Sequence, residues 1–152
     1  MAVTKLKPRE RAAAKKRVMM AAVLQFTLPG VPCIYYGDEN SMEGYRDPFC
    51  RGCFDWVNTD EELLAFYQKL GALRERYDAF REGEYDEVFA DSNCIVYMRR
   101  SENENVYIWV NNSSAEYSLR VEGTFFEHLS EKSFSGQLEI KPNTYGIFTK
   151  GQ

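Results

Sequence analysis

Apolar residues in the first quarter of the chain follow a helical spacing and then change abruptly. From Lys7 to Leu28 the pattern predicts a helix, with Pro8 suited to its first turn. The second half of this helix is apolar on nearly all sides, which predicts burial between layers. Pro29-Gly30 ends it, and the short apolar run Val31–Tyr36 predicts a strand covered on both faces, as in a parallel sheet.

A second helix is predicted after a long loop rich in polar, aromatic and charged residues. Thr59–Glu62 fits a capping box, and apolar residues recur at helical spacing from Leu63 to Tyr77. Long irregular connections inside a compact chain often carry functional residues, so the loop between the two helices is the main candidate for a site.

After Gly83 the apolar spacing changes from the helical period to a period of two. Alternation in "VYIWV" predicts that Val106, Ile108 and Val110 share one face of a strand and that Tyr107 and Trp109 share the other. Strands this short and evenly spaced predict an antiparallel β-sandwich. The six predicted strands are residues 84–90, 94–100, 106–112, 115–122, 137–143 and 145–150.

Composition narrows the possible partners. The chain has 152 residues, a net charge of −4 and ordinary apolar and charged fractions. This balance provides no basic surface for nucleic acid or for an anionic membrane. The longest apolar-leaning run, Val18–Leu28, is too short to cross a bilayer, and the charged stretch Met1–Arg17 does not read as a signal peptide.

The four cysteines favour a reducing compartment, and their spacing argues against a redox or zinc site. Cys33 and Cys94 fall in predicted buried strands, which fits a reducing cytoplasm better than a disulfide scaffold. The "CRGC" run, Cys50–Cys53, has the spacing of a redox or zinc motif. No helix follows it directly, however, and the remaining cysteines and His128 lack paired spacing. We therefore expect no metal site and no cofactor.

The stretches "FTLPGVPCIYYGDE" and "GYRDPFCR" resemble the last barrel strand and following loop of the α-amylase family, glycoside hydrolase family 13. The nearest subgroup is that of neopullulanase, cyclomaltodextrinase and maltogenic amylase. "LLAFYQKLGALRERY" resembles the last barrel helix. The resemblance implies an α+β fragment, with the final helix–strand–helix of a (β/α)8 barrel in residues 1–82 and an antiparallel β-sandwich in residues 83–152.

The resemblance also implies that the catalytic carboxyl groups lie upstream of this sequence. Retaining glycosidases need a carboxylate nucleophile and a carboxylic acid about 5–5.5 Å apart. In the family these groups follow barrel strands four and five, and a third Asp follows strand seven in an Asn-His-Asp motif. The sole histidine, His128, precedes Leu129 and cannot belong to that motif. Ala2–Leu6 resembles the segment just after it, so we expect the chain alone to be inactive.

Two charged residues of the loop are the main substrate-binding candidates. Asp47 and Arg51, in "DPFCR", match the family pair that hydrogen-bonds a glucose unit on the non-reducing side of the cleavage point. A carboxylate accepts from vicinal hydroxyls and a guanidinium donates in a planar fork. The alternative is a surface ion pair of little energetic consequence. Tyr45 and Trp56 flank the loop, and we expect them to pack beneath it rather than stack on sugars.

Four neighbouring residues complete the candidate site. Tyr35, Tyr36, Asp38 and Glu39 would lie where the last strand reaches its C-terminal end, the face at which barrel enzymes keep their active sites. A tyrosine there can stack on a sugar ring or fill the barrel rim. We predict Tyr36 as a further substrate contact, and we assign supporting roles to Tyr35, Asp38 and Glu39.

Three functions remain open from the sequence. The chain is the C-terminal piece of a hydrolase of α-glucans, or a stand-alone carbohydrate-binding module, or a purely structural sandwich unit. The expected ligand of the intact enzyme is an α-glucan oligosaccharide. Because barrel strands that would cover Val18–Leu28 are missing, an exposed flank of this helix should be buried in a homodimer or other assembly of the isolated fragment.

Overall fold

The computed structural model describes residues 5–151. Most of the Ala2–Leu6 segment lies outside these residues. Two helices precede a set of six strands, and three single-turn 3-10 helices lie at Asp38–Asn40, Phe49–Arg51 and Asp78–Phe80. The helices are α1 (Pro8–Thr27) and α2 (Glu61–Arg76), and the strands are β1 (Glu84–Ala90), β2 (Cys94–Arg100), β3 (Asn105–Asn111), β4 (Tyr117–Glu127), β5 (Lys132–Ile140) and β6 (Thr144–Lys150).

The strands form one continuous antiparallel sheet in the order β1-β2-β3-β6-β4-β5. β4 pairs with β6 only through Phe125–Glu127, near its C-terminal end. The N-terminal end of β4 folds back over the sheet to reach β1. There the Tyr117 hydroxyl donates to Asp91 Oδ2 at 2.6 Å, and the Tyr117 ring lies 5.6 Å from the Phe89 ring of β1. The two layers of the predicted sandwich are therefore the two parts of one bent sheet.

A bulge in the β4–β5 hairpin marks the bend. The register of this pair shifts between Val121 and Thr124. Gly123 and Gly136, one on each strand, have φ values of 104° and 77°, in the left-handed region that glycine adopts without a steric penalty. These glycines and the polar residues beside them explain why the sequence pattern predicted shorter strands here.

Apolar side chains fill two cores, one on each face of the sheet. As the alternation in β3 predicted, Val106, Ile108 and Val110 pack toward the helices, while Trp109 packs in the opposite core between the folded layers. The helix-side core joins both helices to the sheet through the buried side chains Met20, Ala22, Val23, Phe26, Leu63, Tyr67, Leu70, Leu73, Tyr77, Ala79, Phe80, Tyr97, Val106, Ile108, Val110 and Ile147.

The C-terminal half of α1 is buried as predicted, but the expected exposed flank is small. Within residues 18–28 only Val18 and Ala21 are exposed. The reason is that α2 and the sheet cover the helix from two sides, with Met20, Val23 and Phe26 in the shared core. The exposed apolar surface lies instead on the connection that follows α1.

The prediction of a strand at Val31–Tyr36 is not confirmed by this structure. The segment is extended but belongs to no strand, and none of the six described strands pairs with it. Val31 is 91% exposed, and Ile34 is also exposed. A parallel strand exists only through hydrogen bonds to neighbouring strands, and residues 5–151 provide no such neighbour. Cys33, expected to be buried in this strand, is exposed for the same reason, whereas Cys94 is buried as predicted.

Two arginines hold the C-terminal end of α1. Arg99 of β2 is 1% exposed, and its guanidinium donates to the carbonyls of Thr27 and Gly83, each at 2.7 Å. Arg74 of α2 donates to the carbonyls of Phe26 and Gly30 at 2.8 and 2.5 Å. The last carbonyls of a helix lack partners within it, so both cations supply donors where the helix cannot.

A hydroxyl pair beside Arg99 strengthens the same junction. The Thr27 hydroxyl donates to the Val23 carbonyl at 2.6 Å, which leaves its oxygen to accept from the Tyr97 hydroxyl at 2.5 Å. Tyr97 is fully buried on β2, and desolvation raises the pKa of its phenol well above the ordinary value. The phenol therefore stays protonated and remains a donor at neutral pH.

We expect Arg99→Met to lower the free energy of unfolding by about 2–4 kcal/mol, because buried carbonyls of α1 and of the turn before β1 lose their donors. Denaturant titration followed by circular dichroism measures the change. Arg120→Met, at an exposed position on β4, should change stability by less than about 0.5 kcal/mol. Equal effects of the two substitutions would contradict the role assigned to Arg99.

Candidate functional site

The loop between Leu28 and Asp60, called here the 28–60 loop, is held by one buried amide. Asn40 lies in the first 3-10 turn of the loop and is buried. Its Nδ2 donates to the Asp55 carbonyl at 2.9 Å, and its Oδ1 accepts from the Asp60 backbone N–H at 2.6 Å. The amide thus joins the middle of the loop to its end and to the start of α2.

Asp60 is the second fixed point of the loop. It is the N-cap of α2, and its Oδ1 accepts from the Leu63 backbone N–H at 3.1 Å. Lys15 of α1 donates to the same oxygen at 2.6 Å, and Ser41 donates to Oδ2 at 2.5 Å. The sequence pattern placed the cap one residue earlier, at Thr59, because Glu62 completes a capping box there; the observed cap uses the residue that Lys15 can reach.

These contacts set the charge state of Asp60. Partial burial of the carboxyl group opposes ionisation, but the hydrogen bonds from Lys15, Ser41 and Leu63 outweigh it, and the pKa of Asp60 is lowered. The pKa of Lys15 is raised in turn, since its bonds to Asp60 and Glu62 outweigh its own desolvation. The pair is ionised at neutral pH and links α1, the loop and α2.

Asp47 and Arg51 face each other across the second 3-10 turn. Arg51 Nε lies 2.7 Å from Asp47 Oδ1, and the two side chains are 72% and 65% exposed respectively. The ion pair is therefore solvated and contributes little to stability. The remaining N–H donors of Arg51 and the second carboxylate oxygen of Asp47 are therefore accessible from solvent.

The structure brings Tyr36 to this turn. The Tyr36 hydroxyl donates to the carbonyl of Gly52, the residue after Arg51, at 3.0 Å. The Tyr35 and Tyr36 rings lie 4.8 Å apart at an interplanar angle of 38°, and both are exposed. Three of the predicted site residues, Tyr36, Asp47 and Arg51, therefore lie on one stretch of loop surface.

Asp38 and Glu39 lie apart from that surface. Glu39 Oε2 accepts from the Gly37 backbone N–H at 3.0 Å, so this carboxylate stabilises the first 3-10 turn, to which it belongs. Asp38 lines a groove of about 290 Å³ whose walls include Leu6, Val18 and Met42. Glu39 therefore supports the first 3-10 turn locally. Among the described residues, neither Asp38 nor Glu39 bonds to Asp47 or Arg51.

The two aromatic residues that flank the loop behave differently. Tyr45 is half-buried, and its hydroxyl donates to Glu43 at 2.8 Å, as expected for packing beneath the loop. The corresponding prediction for Trp56 is wrong, since this side chain is 82% exposed. Asp55 Oδ1 accepts from the backbone N–H groups of Val57 and Asn58, and this turn carries Trp56 at its outer edge.

The cysteine motif gathers no further metal ligands among the described residues. Cys50 and Cys53 are free thiols, and within residues 5–151 no group of three or more His, Cys, Asp or Glu side chains could hold a metal ion. Burial raises the pKa of the Cys94 thiol to about 11, which keeps it protonated. Nor does any helix of the described chain have the length and apolar character to cross a membrane.

The comparisons with known proteins identify the family. No family model matches the chain. It is 39% identical over 110 residues to a cyclomaltodextrinase of a Bacillus species and 38% identical over 113 residues to a maltogenic α-amylase of Bacillus acidopullulyticus. These matches take in 70% and 68% of this chain but 20% and 19% of the relatives. The chain is a C-terminal part of an α-amylase-family protein.

The solved structures agree with this assignment to glycoside hydrolase family 13. A cyclomaltodextrinase structure matches 91% of this chain and 26% of its own length, with a TM-score of 0.80 and 29% identity. The likeness therefore takes in the helices as well as the sheet. The chain spans about a fifth of the length of the curated α-amylase-family relatives that it matches.

We expect Asp60→Asn to destabilise the chain at pH 7 by about 1–2 kcal/mol, because asparagine keeps the cap but loses the charge that Lys15 neutralises. The folded-state pKa of Asp60 lies below the ordinary value, so its contribution is complete above the ordinary pKa and is lost as pH falls through the folded-state pKa. The difference between the two proteins should therefore shrink below about pH 4.

Unfolding free energies measured between about pH 7 and pH 2.5 test this dependence. Glu62→Gln is the matched control, since Glu62 contacts the same Lys15 nitrogen at 2.6 Å but its side chain is mostly exposed. It should change stability only slightly at any pH. A destabilisation by Asp60→Asn that is constant across the pH range would show that its charge is not involved.

Proposed function

We propose that this chain forms the C-terminal part of a retaining glycoside hydrolase that acts on α-glucans, such as starch, pullulan or cyclodextrins, with α-1,4 or α-1,6 linkages. The sequence relationship to proteins named cyclomaltodextrinase and maltogenic α-amylase carries the proposal. By resemblance to the family, the nucleophile and the acid/base lie in sequence upstream of this region. The chain alone then has no reaction centre.

The 28–60 loop has the surface expected of a segment that packs against more polypeptide. Val31, Phe49, Trp56 and Val57 expose most of their side chains, which is unusual for four apolar residues of one loop. We propose that Val31–Tyr36 becomes the last strand of a (β/α)8 barrel when the rest of the enzyme supplies its neighbours. In the isolated chain the same surface would favour a homodimer or larger assembly.

Within the intact enzyme we propose that Asp47 and Arg51 hydrogen-bond one glucose unit and that Tyr36 stacks beside them. The support is that all three lie on one exposed stretch of loop and that the ion pair contributes little else. Desolvation by a bound sugar would strengthen each charge-assisted hydrogen bond. Tyr35, Asp38 and Glu39 then support the loop rather than contact the ligand.

A cytoplasmic location is part of the proposal. Cys33 and Cys53 are exposed and Cys50 is half-buried, and all three are free thiols. Such accessible thiols fit a reducing compartment better than an oxidising one.

The chain alone should release no reducing sugar from cyclodextrin, pullulan, starch or an aryl maltoside above the buffer blank. Without a carboxylate nucleophile and a proton donor, the oxocarbenium-like transition state lacks both its partners, and rates fall by many orders of magnitude. A reducing-sugar assay on purified chain measures this. Turnover that disappears on mutation of an acidic residue within the chain would overturn the assignment of the reaction centre.

In the longer enzyme, Asp47→Ala or Arg51→Ala should lower kcat/KM for oligosaccharides by about ten- to a hundredfold, the loss expected from one or two desolvated hydrogen bonds. The loss should be smaller for a substrate too short to reach this subsite. The double variant should cost less than the sum of the single ones, because both side chains hold one ring. Steady-state kinetics on long and short substrates measure these effects.

Asp78→Ala is the matched control, since Asp78 forms another exposed ion pair, with Arg81, outside the loop. It should leave kcat/KM unchanged. If Asp47→Ala instead reduced activity equally on long and short substrates and lowered the melting temperature, the pair would be a structural contact that holds the loop.

A further inference from the structure

A mostly buried carboxylate lies on the approach to the turn that carries Asp47 and Arg51. Glu43 precedes this turn in the 28–60 loop, and its side chain is only 13% exposed. Oε2 of Glu43 accepts from the Leu6 backbone N–H at 3.0 Å and from the Tyr45 hydroxyl at 2.8 Å. Acidic side chains are rarely buried without partners. These two donors explain how the carboxylate can lie between α1 and the loop.

Glu43 joins the loop to the start of α1. Leu6 immediately precedes Lys7, the N-cap residue of that helix. Arg11 lies in the first turn of α1, with its Nε 3.7 Å from Glu43 Oε1, and its Nη2 donates to the Ser41 carbonyl at 3.1 Å. The start of α1 therefore holds two nearby residues of the loop, Ser41 and Glu43, through a backbone donor and a cation.

The contacts of Glu43 also keep it ionised at neutral pH. The hydrogen bonds from Leu6 and Tyr45, together with the nearby cations Arg11 and Lys5, outweigh desolvation and lower the pKa of the Glu43 carboxyl group. A charged acceptor forms stronger hydrogen bonds than a neutral one. Ionisation therefore strengthens the link between α1 and the loop.

The link continues from Glu43 to the turn itself. A Cβ atom at Gly44 would lie 4.0 Å from the Cβ of Cys50, so the backbone of residue 44 lies close to the second 3-10 turn. The Cys50 thiol lies 3.9 Å from Asp47 Oδ1, the oxygen that Arg51 also contacts. A continuous path of contacts therefore runs from α1 to the ion pair, although only a coupling measurement can show that it transmits an effect.

We propose that Glu43 is a positioning residue for the substrate-binding turn: it holds the turn relative to α1, so that Asp47 and Arg51 meet a sugar ring in one geometry. The sugar as ligand rests on the proposed function. The positioning role rests on the contacts that Glu43 makes with Leu6 and Arg11. Glu43 acts through the turn and does not touch the sugar, because its oxygens are already engaged with α1 and the loop.

A double-mutant cycle in the longer enzyme tests this role. Glu43→Ala should raise KM for long oligosaccharides about three- to tenfold and leave kcat within about twofold, because the binding geometry is lost while the reacting groups are untouched. A substrate too short to reach the turn should be unaffected. In an Asp47→Ala background, Glu43→Ala should add little further loss, since it acts only through the pair. Steady-state kinetics measure all four proteins.

Two further variants and a control accompany the cycle. Glu43→Gln should recover most of the lost affinity, because its amide oxygen can still accept from the same two donors. Arg11→Met leaves the loop sequence unchanged and should raise KM about twofold. Glu84→Ala is the matched control, since Glu84 also pairs with an arginine, Arg100, at 2.7 Å, but lies on β1 outside the loop. It should leave KM and kcat unchanged.

The isolated chain provides a readout that does not depend on catalysis. Backbone ¹⁵N relaxation of the 152-residue chain should show greater picosecond-to-nanosecond mobility of residues 44–51 in Glu43→Ala than in the unaltered chain, with the mobility of α2 unchanged. Equal mobility of the turn in the two proteins would overturn the proposal. So would kinetic losses from Glu43→Ala and Asp47→Ala that add in full.

The kinetic outcomes separate this inference from the proposed function. If Asp47→Ala lowers kcat/KM and Glu43→Ala does not, the turn binds sugar without help from Glu43, and only this inference fails. If Asp47→Ala has no effect, the proposed substrate contact fails, and a role of Glu43 in positioning that contact fails with it.

Discussion

The structure depends on how the C-terminal end of α1 is held. A helix that ends inside a protein leaves carbonyl groups without partners, and each would be costly to bury alone. Arg99 from the sheet and Arg74 from α2 donate to these carbonyls, and Tyr97 bonds the last side chain of the helix. The same contacts join three elements at one point, so the direction in which the chain leaves α1 is set by residues far away in sequence.

The position of the 28–60 loop depends on that junction. It leaves from the held end of α1 and returns to α2 at Asp60, where Lys15 of α1 and Asn40 of the loop converge. Both ends of the loop are therefore fixed to the same pair of helices. The middle of the loop exposes the side chains of Asp47 and Arg51. This combination of rigid ends and an open middle is usual for binding loops.

Local patterns predicted much of this fold. The strands β1, β2, β3 and β6 were predicted from their alternation, and both helices from their spacing, because burial on one face imposes those periods. Where structure depends on distant partners, the sequence pattern was insufficient. Val31–Tyr36 has the composition of a strand but no partner among the described residues, and the extensions of β4 and β5 contain glycines that serve a bend.

The roles of the candidate site residues remain predictions. Tyr36, Asp47 and Arg51 were picked out from the sequence, and in the structure Tyr36 bonds the carbonyl of the residue after Arg51. Asn40 was missed because its importance comes from two contacts across the loop, which no local pattern reveals. Arg99 was missed for a related reason, since an arginine in a strand is expected at the surface until the carbonyls around it are known.

Hydrogen exchange by NMR tests the central claim, that α1 is locked to the sheet at its C-terminal end, whereas the middle of the loop beyond it is exposed. We expect the amides of residues 22–27 to be protected as strongly as those of β3, because both should open only with global unfolding. Residues 44–57 should exchange with little protection. If residues 22–27 exchanged as fast as the loop while β3 stayed protected, α1 would be a separate, weakly attached element, and the lock at its C-terminal end would be refuted.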